Sequence, residues 1–345
     1  MSTSSLEMLF SQAAQKQASD LHLVAGQPPV IRLNGELKTL DQEPLNASAV
    51  QKIIYGILSP EVKTKLEKYR ELDTSYQISD GTRFRVNVFY EKGNLSLAAR
   101  VIPTSIPRPE ELYLPDIAQE LTRLEHGLIL VTGPTGSGKS TSIASLVEMI
   151  NQQRNLNIIT LEDPIEFLFE SKKCLIQQRQ LGTDMLSFAE GLKHVLRQDP
   201  DVIMVGEMRD LETISTTLTL AETGHLVFAT LHTNNAAETI DRIVDVFPPH
   251  KQNQIRLQLS LSLRAVISQR LLPLNNGGQR AVFEVLINNP AVANLIRENK
   301  ISQIKSVIQT SADQGMITLE RSVKALLQQG LISPDTAELY LDKED

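Results

Sequence analysis

Between Gly133 and Thr141 the chain reads GPTGSGKST. Glycines in such a stretch let backbone N–H groups converge on phosphate oxygens without a Cβ in the way. Lys139 reaches the β- and γ-phosphates and the Ser140 hydroxyl ligates Mg²⁺. The pattern Gly133-x-x-x-x-Gly138-Lys139-Ser140 is a complete Walker A motif, and its surroundings agree with it. An apolar run, Leu128 to Val131, leads in as a strand; Ile143, Leu146, Val147 and Ile150 follow at i, i+3, i+4 and i+7 as one helix face. Gly133, Pro134, Thr135, Gly136, Ser137, Gly138, Lys139, Ser140 and Thr141 are therefore expected to hold a nucleoside triphosphate.

Carboxylates stand where a second set of groups is needed. NIITLEDPIEF places Glu162 and Asp163 at the carboxyl end of a predicted strand, with Glu166 close behind. Open α/β sheets put their chemistry at such ends. DPDVIMVGEMRD is a second strand, whose tip is Gly206-Glu207. An ordinary Walker B strand ends in an Asp that holds the metal. Here Asp201 lies at the wrong end and Gly206 fills the expected place, so Glu207 is expected to act through its longer side chain, directly or through a metal-bound water. One of Glu162 and Glu207 should organise Mg²⁺ and the other polarise the attacking water. Asp163 and Glu166 are as easily helix-capping or solubilising groups.

TGHLVFATLHT carries His225 and His232 on either side of a strand, Leu226 to Leu231. Local hydrogen bonds at strand ends are the plainest account of both. Seven residues of extended chain span roughly 23 Å, too far for the pair to share one ion. His232 stands at the carboxyl end, where the phosphate loop and Glu207 are also expected, which makes it the better placed of the two to meet a phosphate directly. His225, at the opposite end, needs a bend or a route through another subunit.

The elements that must position these groups follow from composition and patterning. With 345 residues the chain is long enough for two domains with real cores. Residues 1–100 read as α+β: a helical start, SDLHLVAG, a hairpin at Asn34-Gly35, helices near 47–58 and 60–70, then two strands around Lys92-Gly93-Asn94. Pro103, Pro107, Pro109 and Pro115 mark residues 101–115 as a linker with restricted freedom. From 116 onward apolar strands at 128–132, 157–161, 202–205 and 226–231 alternate with helical periods, the signature of a parallel sheet covered by helices. After about 234 the pattern is mostly helical, with a strand pair near 279–287.

Charge and cysteine usage exclude several classes. The net charge of −7 and the absence of Trp argue against a nucleic-acid binder, which needs basic patches and stacking platforms. Cys174 is the single cysteine, so neither a disulfide framework nor an intrachain cysteine zinc site is expected. The amino terminus lacks a signal-peptide pattern, and no apolar run spans a bilayer, so a cytoplasmic protein is expected.

Together GPTGSGKST, LEDPIEF, DPDVIMVGEMRD and TGHLVFATLHTNNAAETIDRIVDVFP resemble the Walker A, Asp box, atypical Walker B and His box of the secretion-type motor ATPases. Within that superfamily the type IV pilus retraction branch is the best match. ASDLHL, PPVIRLNGEL, RFRVNVF, ESKKCLI and NLIRE extend the resemblance from about residue 5 to 333. It implies a PAS-like amino-terminal domain, a RecA-like P-loop ATPase domain with carboxyl-terminal helices from about 290 to 345, and a homo-hexameric ring. It implies ATP with Mg²⁺ bound by Ser140 and Glu207, Glu162 as catalytic carboxylate, and both His225 and His232 as γ-phosphate sensors. Arg100, in AARVIP, matches an arginine that the family aims at nucleotide across domains. Arg83, Arg85, Arg123, Arg197, Arg209 and Arg242 read better as exposed or salt-bridged residues. The implied setting is the cytoplasmic face of the inner membrane, on the pilus platform protein, with or without a paralogous retraction ATPase and without nucleic acid.

One motif departs from the family. Its late, retraction-linked segment reads Ala-Ile-Arg-Asn-Leu-Ile-Arg-Glu, whereas residues 291–298 are AVANLIRE. Val292 and Ala293 stand for Ile and Arg, which leaves open an accessory or divergent retraction paralogue. An assembly or secretion ATPase ranks lower, because those relatives carry a four-cysteine metal insertion. A nucleic-acid translocase and a catalytically silent ring subunit rank lower still.

Overall fold

The computed structural model describes residues 3–33, 35–102 and 105–341, and the side chains from Glu7 onward. The chain divides into two compact units, Met1–Ser105 and Ile106–Asp345.

The first unit is built on a six-stranded antiparallel sheet, order β3-β2-β1-β6-β5-β4. Its strands are β1 (Asp20–Leu23), β2 (Val30–Leu33), β3 (Glu36–Thr39), β4 (Glu71–Gln77), β5 (Arg83–Glu91) and β6 (Asn94–Ile102). The β5–β6 loop is Lys92-Gly93, with φ of 49° and 78°; both residues take the left-handed conformation that a type I′ hairpin requires. At the β2–β3 hairpin, Gly35 has φ 86°, while Asn34, the other expected turn residue, lies outside the described residues. Helices Thr3–Gln15, Ala47–Ile57 and Pro60–Tyr69 complete the unit, the last two started by Asn46 and Ser59 caps. Phe10 centres the core, edge-on to Phe84 at 4.8 Å and to Tyr76 at 5.0 Å. β4, ELDTSYQ, escapes a hydrophobicity reading because as an edge strand it buries little.

Of the expected linker, Val101 and Ile102 belong to β6, and Pro103 and Thr104 lie outside the described residues. Its far end is part of the second unit: Leu114 is buried, and the Arg280 guanidinium lies 3.7 Å from the centre of the Tyr113 ring.

The second unit carries a seven-stranded sheet, order β13-β12-β7-β11-β10-β8-β9. The strands are β7 (Gly127–Thr132), β8 (Asn157–Glu162), β9 (Leu175–Gln180), β10 (Val202–Val205), β11 (Leu226–Leu231), β12 (Leu263–Pro273) and β13 (Gln279–Ile287). All but β13 run parallel. β7, β10 and β11 are buried at every residue, as continuous apolar runs with helices on both faces must be. One face packs on Ile143, Leu146, Val147 and Ile150 of helix Lys139–Gln153. The other packs on helices Leu211–Glu222, Ala236–Asp245 and Pro290–Arg297 through Ile214, Leu218, Ile240, Val292 and Ile296. Two strands differ from the expected set. β9, LIQQRQ, is a polar edge strand that alternates too weakly to be read, and β12 begins within a stretch expected to be helical.

Candidate functional site

Parallel strands bring their carboxyl ends to one edge, so register decides what meets there. Thr132 pairs with Leu231, and Val205 pairs with both Leu161 and Ala229. The residues that follow, Gly133, His232, Gly206-Glu207 and Glu162, therefore emerge side by side. Asp201, at the other end of β10, accepts from the Asn157 N–H at 2.8 Å and secures the start of β8.

The phosphate loop occupies the turn between β7 and helix Lys139–Gln153. Other helices of this unit are capped at their amino ends by Ser187, Asp210 and Asn235. Helix Lys139–Gln153 starts at Gly138 with no side-chain cap, so its first N–H groups are left for an anion. Gly133 is obligatory: with φ 144°, a Cβ there would lie 2.2 Å from the Gln269 carbonyl oxygen. The Lys139 ammonium is buried and donates to the Gly133 and Pro134 carbonyls at 2.8 and 3.0 Å. Burial lowers its pKa, opposed by the charges of Glu207 and Glu166.

His232 joins the loop to the second carboxylate. Its Nδ1 lies 3.5 Å from the Lys139 ammonium and its Nε2 lies 3.1 Å from Glu207 Oε1. A neutral ring protonated on Nε2 satisfies both contacts, accepting from lysine and donating to the carboxylate. Glu207 is held on its other oxygen by Arg209 at 2.7 Å, which raises the Arg209 pKa through that bond and charge. A continuous line Lys139–His232–Glu207–Arg209 thus crosses the sheet edge. It places Arg209, ranked low from sequence, inside the site; two residues apart on an extended turn, Glu207 and Arg209 reach the same side.

Gly206 explains the departure from an ordinary Walker B strand. A Cβ at this position would stand 3.1 Å from the Leu161 carbonyl oxygen and 3.3 Å from the Glu162 Cα, and the Thr230 hydroxyl donates to the Gly206 carbonyl. The strand tip must close on β8 where Glu162 emerges, and a side chain would hold it off.

Glu162 is 4% exposed. Its Oε1 accepts from the Thr160 hydroxyl at 2.6 Å and from Gln178 Nε2 at 3.1 Å. Its Oε2 takes only a long 3.4 Å contact from the Glu166 N–H among the described residues, and so keeps lone pairs for a water. Burial pushes the Glu162 carboxyl above the ordinary glutamate range, and the Thr160 and Gln178 bonds oppose it. A carboxylate moved toward neutrality is a better proton acceptor near physiological pH. Thr160 was available to sequence reasoning, two residues back on the same strand face. Gln178 was not, because it faces Thr160 across β8–β9 only in the folded register.

The remaining candidates lie apart from this edge. His225 stands at the amino end of β11 with Nδ1 3.0 Å from the Leu220 carbonyl and 3.4 Å from the Thr223 hydroxyl. Arg100 belongs to the first unit, where its Nε donates to Asp20 Oδ1 at 2.9 Å. Arg83 donates to Ser75, and Arg85, Arg123, Arg197 and Arg242 are exposed. In AVANLIRE, Val292 and Ile296 are fully buried and Leu295 packs beside them, while Ala293 is half-buried on a helix capped by Asn289.

Residues 110–338 match the family model described as type II/IV secretion system protein. The chain belongs to this family. Within it, the chain is 47% identical over 329 residues to the type IV pilus retraction ATPase PilT of Pseudomonas aeruginosa, covering 95% of this chain and 96% of that one. It is 38% identical over 337 residues to the type IV pilus ATPase PilU of the same species, covering 97% of this chain and 88% of that one. A crystal structure of the pilus retraction motor PilT with bound ADP superposes with a TM-score of 0.91 at 48% identity, covering 97% of this chain and 96% of that one. The chain's Walker A residues, Gly133 to Ser140, lie at the sheet edge just described.

Proposed function

We propose that this protein is the ATP-hydrolysing motor of type IV pilus retraction, working as a homo-hexamer on the pilus platform protein at the cytoplasmic face of the inner membrane. The observation that carries the reading is the line Lys139–His232–Glu207 beside buried Glu162, in a chain that matches a retraction ATPase over nearly its whole length. No helix among the described residues is long and apolar enough to cross a membrane, which suits a peripheral partner.

The residues assign the steps. Backbone N–H groups from Thr135 to Thr141 cradle the phosphates, and Lys139 leaves its loop carbonyls for the β- and γ-oxygens. Glu162 Oε2 accepts a proton as a water oxygen attacks the γ-phosphorus and the bond to the β-phosphate oxygen breaks. His232, tied to Lys139 and Glu207, registers whether the γ-phosphate is present. Mg²⁺ is a hard cation that takes oxygen ligands, commonly one or two from protein with substrate phosphates completing the shell. The oxygen donors Ser140 and Glu207 suit it, Glu207 partly through water, and when bound it neutralises phosphate charge. Arg100 is retained as a nucleotide-binding arginine on the family resemblance, and His225 acts by way of a neighbouring subunit.

Ala293, in place of the family arginine, favours a second reading as an accessory retraction ATPase that works beside a paralogue. The greater identity to PilT than to PilU ranks that reading second. Deleting the gene is the test. Cells with surplus pili that do not retract support the primary motor; normal retraction that weakens only under load supports the accessory one. Cells without pili would reverse the direction assigned to the motor.

A further inference from the structure

Gln269, in β12, is 3% exposed and 132 residues away in sequence from the loop it touches. Its Nε2 donates to the Ser137 carbonyl at 2.7 Å, and its Oε1 accepts from the Ser142 hydroxyl at 2.7 Å. Both partners are themselves buried. Its backbone oxygen sets the 2.2 Å limit at Gly133, and its Nε2 would stand 2.9 Å from a Cβ at Gly138. The adjacent rung is also bonded, Thr132 and Ser268 sharing a hydroxyl contact of 2.9 Å. One side chain thus grips the loop before its lysine and the first turn of the helix after it.

We propose that Gln269 is a positioning residue for nucleotide binding, an inference that rests on the nucleotide reading above. Its action follows from the peptide unit. In a planar trans peptide the C=O and the following N–H point in opposite directions. Holding the Ser137 carbonyl on β12 therefore turns the Gly138 N–H away from β12 and into the phosphate cradle. A released Ser137 carbonyl is free to swing inward, where its oxygen repels phosphate. The carboxamide suits the task because it donates on one side and accepts on the other. A hydrocarbon satisfies neither partner, and each buried polar group left unpaired is costly.

The test measures affinity for a fluorescent ATP analogue, steady-state hydrolysis and melting temperature on the full chain. Gln269→Leu is expected to weaken nucleotide binding about tenfold, with kcat at saturation within about threefold because Glu162 and Glu207 sit on other strands. Gln269→Glu supplies a pH signature that packing alone would not. Protonated, the acid donates to Ser137 and accepts from Ser142 as the amide does; ionised, it repels both the carbonyl and the phosphates. Its deficit relative to wild type should shrink as pH falls from about 8 to about 6. Should the leucine variant fail to fold, the glutamate variant decides by this pH dependence. Folded variants that bind like wild type, or that lose only melting temperature, overturn the inference while leaving the nucleotide reading intact. A wild-type protein that binds no ATP overturns both.

Discussion

The two ends of β11 carry the same side chain in different surroundings. At the carboxyl end, His232 lies between a buried ammonium and a carboxylate, on the edge where five parallel strands deliver β7, β8, β10, β11 and β12 to one place. At the amino end, His225 closes a turn after helix Leu211–Glu222, bonded to the Leu220 carbonyl. The residue type is equal, the strand is shared, and only position along a parallel sheet separates them. Helix amino ends and strand carboxyl ends converge on a single edge, so electrostatic work concentrates there, while the opposite edge is occupied by turns that need local satisfaction.

The largest effect expected at the active edge is that of Glu162→Gln. The amide keeps the shape and loses the proton acceptor, so ATP binding should persist while turnover falls about 10³-fold; near wild-type turnover would remove Glu162 as the base. In the wild type, kcat should fall as pH drops through the raised Glu162 pKa, since only the ionised carboxylate can take a proton. Gln178→Leu removes a bond that favours the ionised form, so the acid limb of the kcat profile should move to higher pH. A limb that stays in place would detach Gln178 from the reaction.

His232→Ala should cost about 10²-fold in turnover, in the range seen when one preorganised polar group is lost from such a site. The matching variant at the other end, His225→Ala, should change ATP-analogue affinity by less than about threefold, in line with a bond outside the phosphate site. Under the proposed hexamer its effect on hydrolysis should appear only on assembly, read as a turnover loss that depends on protein concentration. Equal losses of nucleotide affinity in the two variants would erase the distinction between the strand ends.

Much of this site was legible because its chemistry is local in sequence. Gly133 through Thr141 form one contiguous loop, and Glu162, Glu207 and His232 each end an apolar run whose length betrays a buried strand. Less could be read where a residue's partner depends on strand order. Gln178, Arg209 and Gln269 carry no signal of their own, since glutamine on a polar edge strand and arginine in a turn are commonplace. Even Gly206, visible as a departure, had no reason until the Leu161 carbonyl was found 3.1 Å from its missing Cβ.

By itself the sequence determined the phosphate loop, the parallel strands with their acidic and imidazole tips, and the separate antiparallel unit ahead of them. Turn residues, apolar periodicity and glycine spacing act over a few residues, and each segment carries its own. Only the tertiary structure decided which tips meet. The order β12-β7-β11-β10-β8 sets His232 against Lys139 across 93 residues and Gln269 against Ser137 across 132. Such pairings belong to no single segment, because a sheet's register is fixed by the burial of all its strands together.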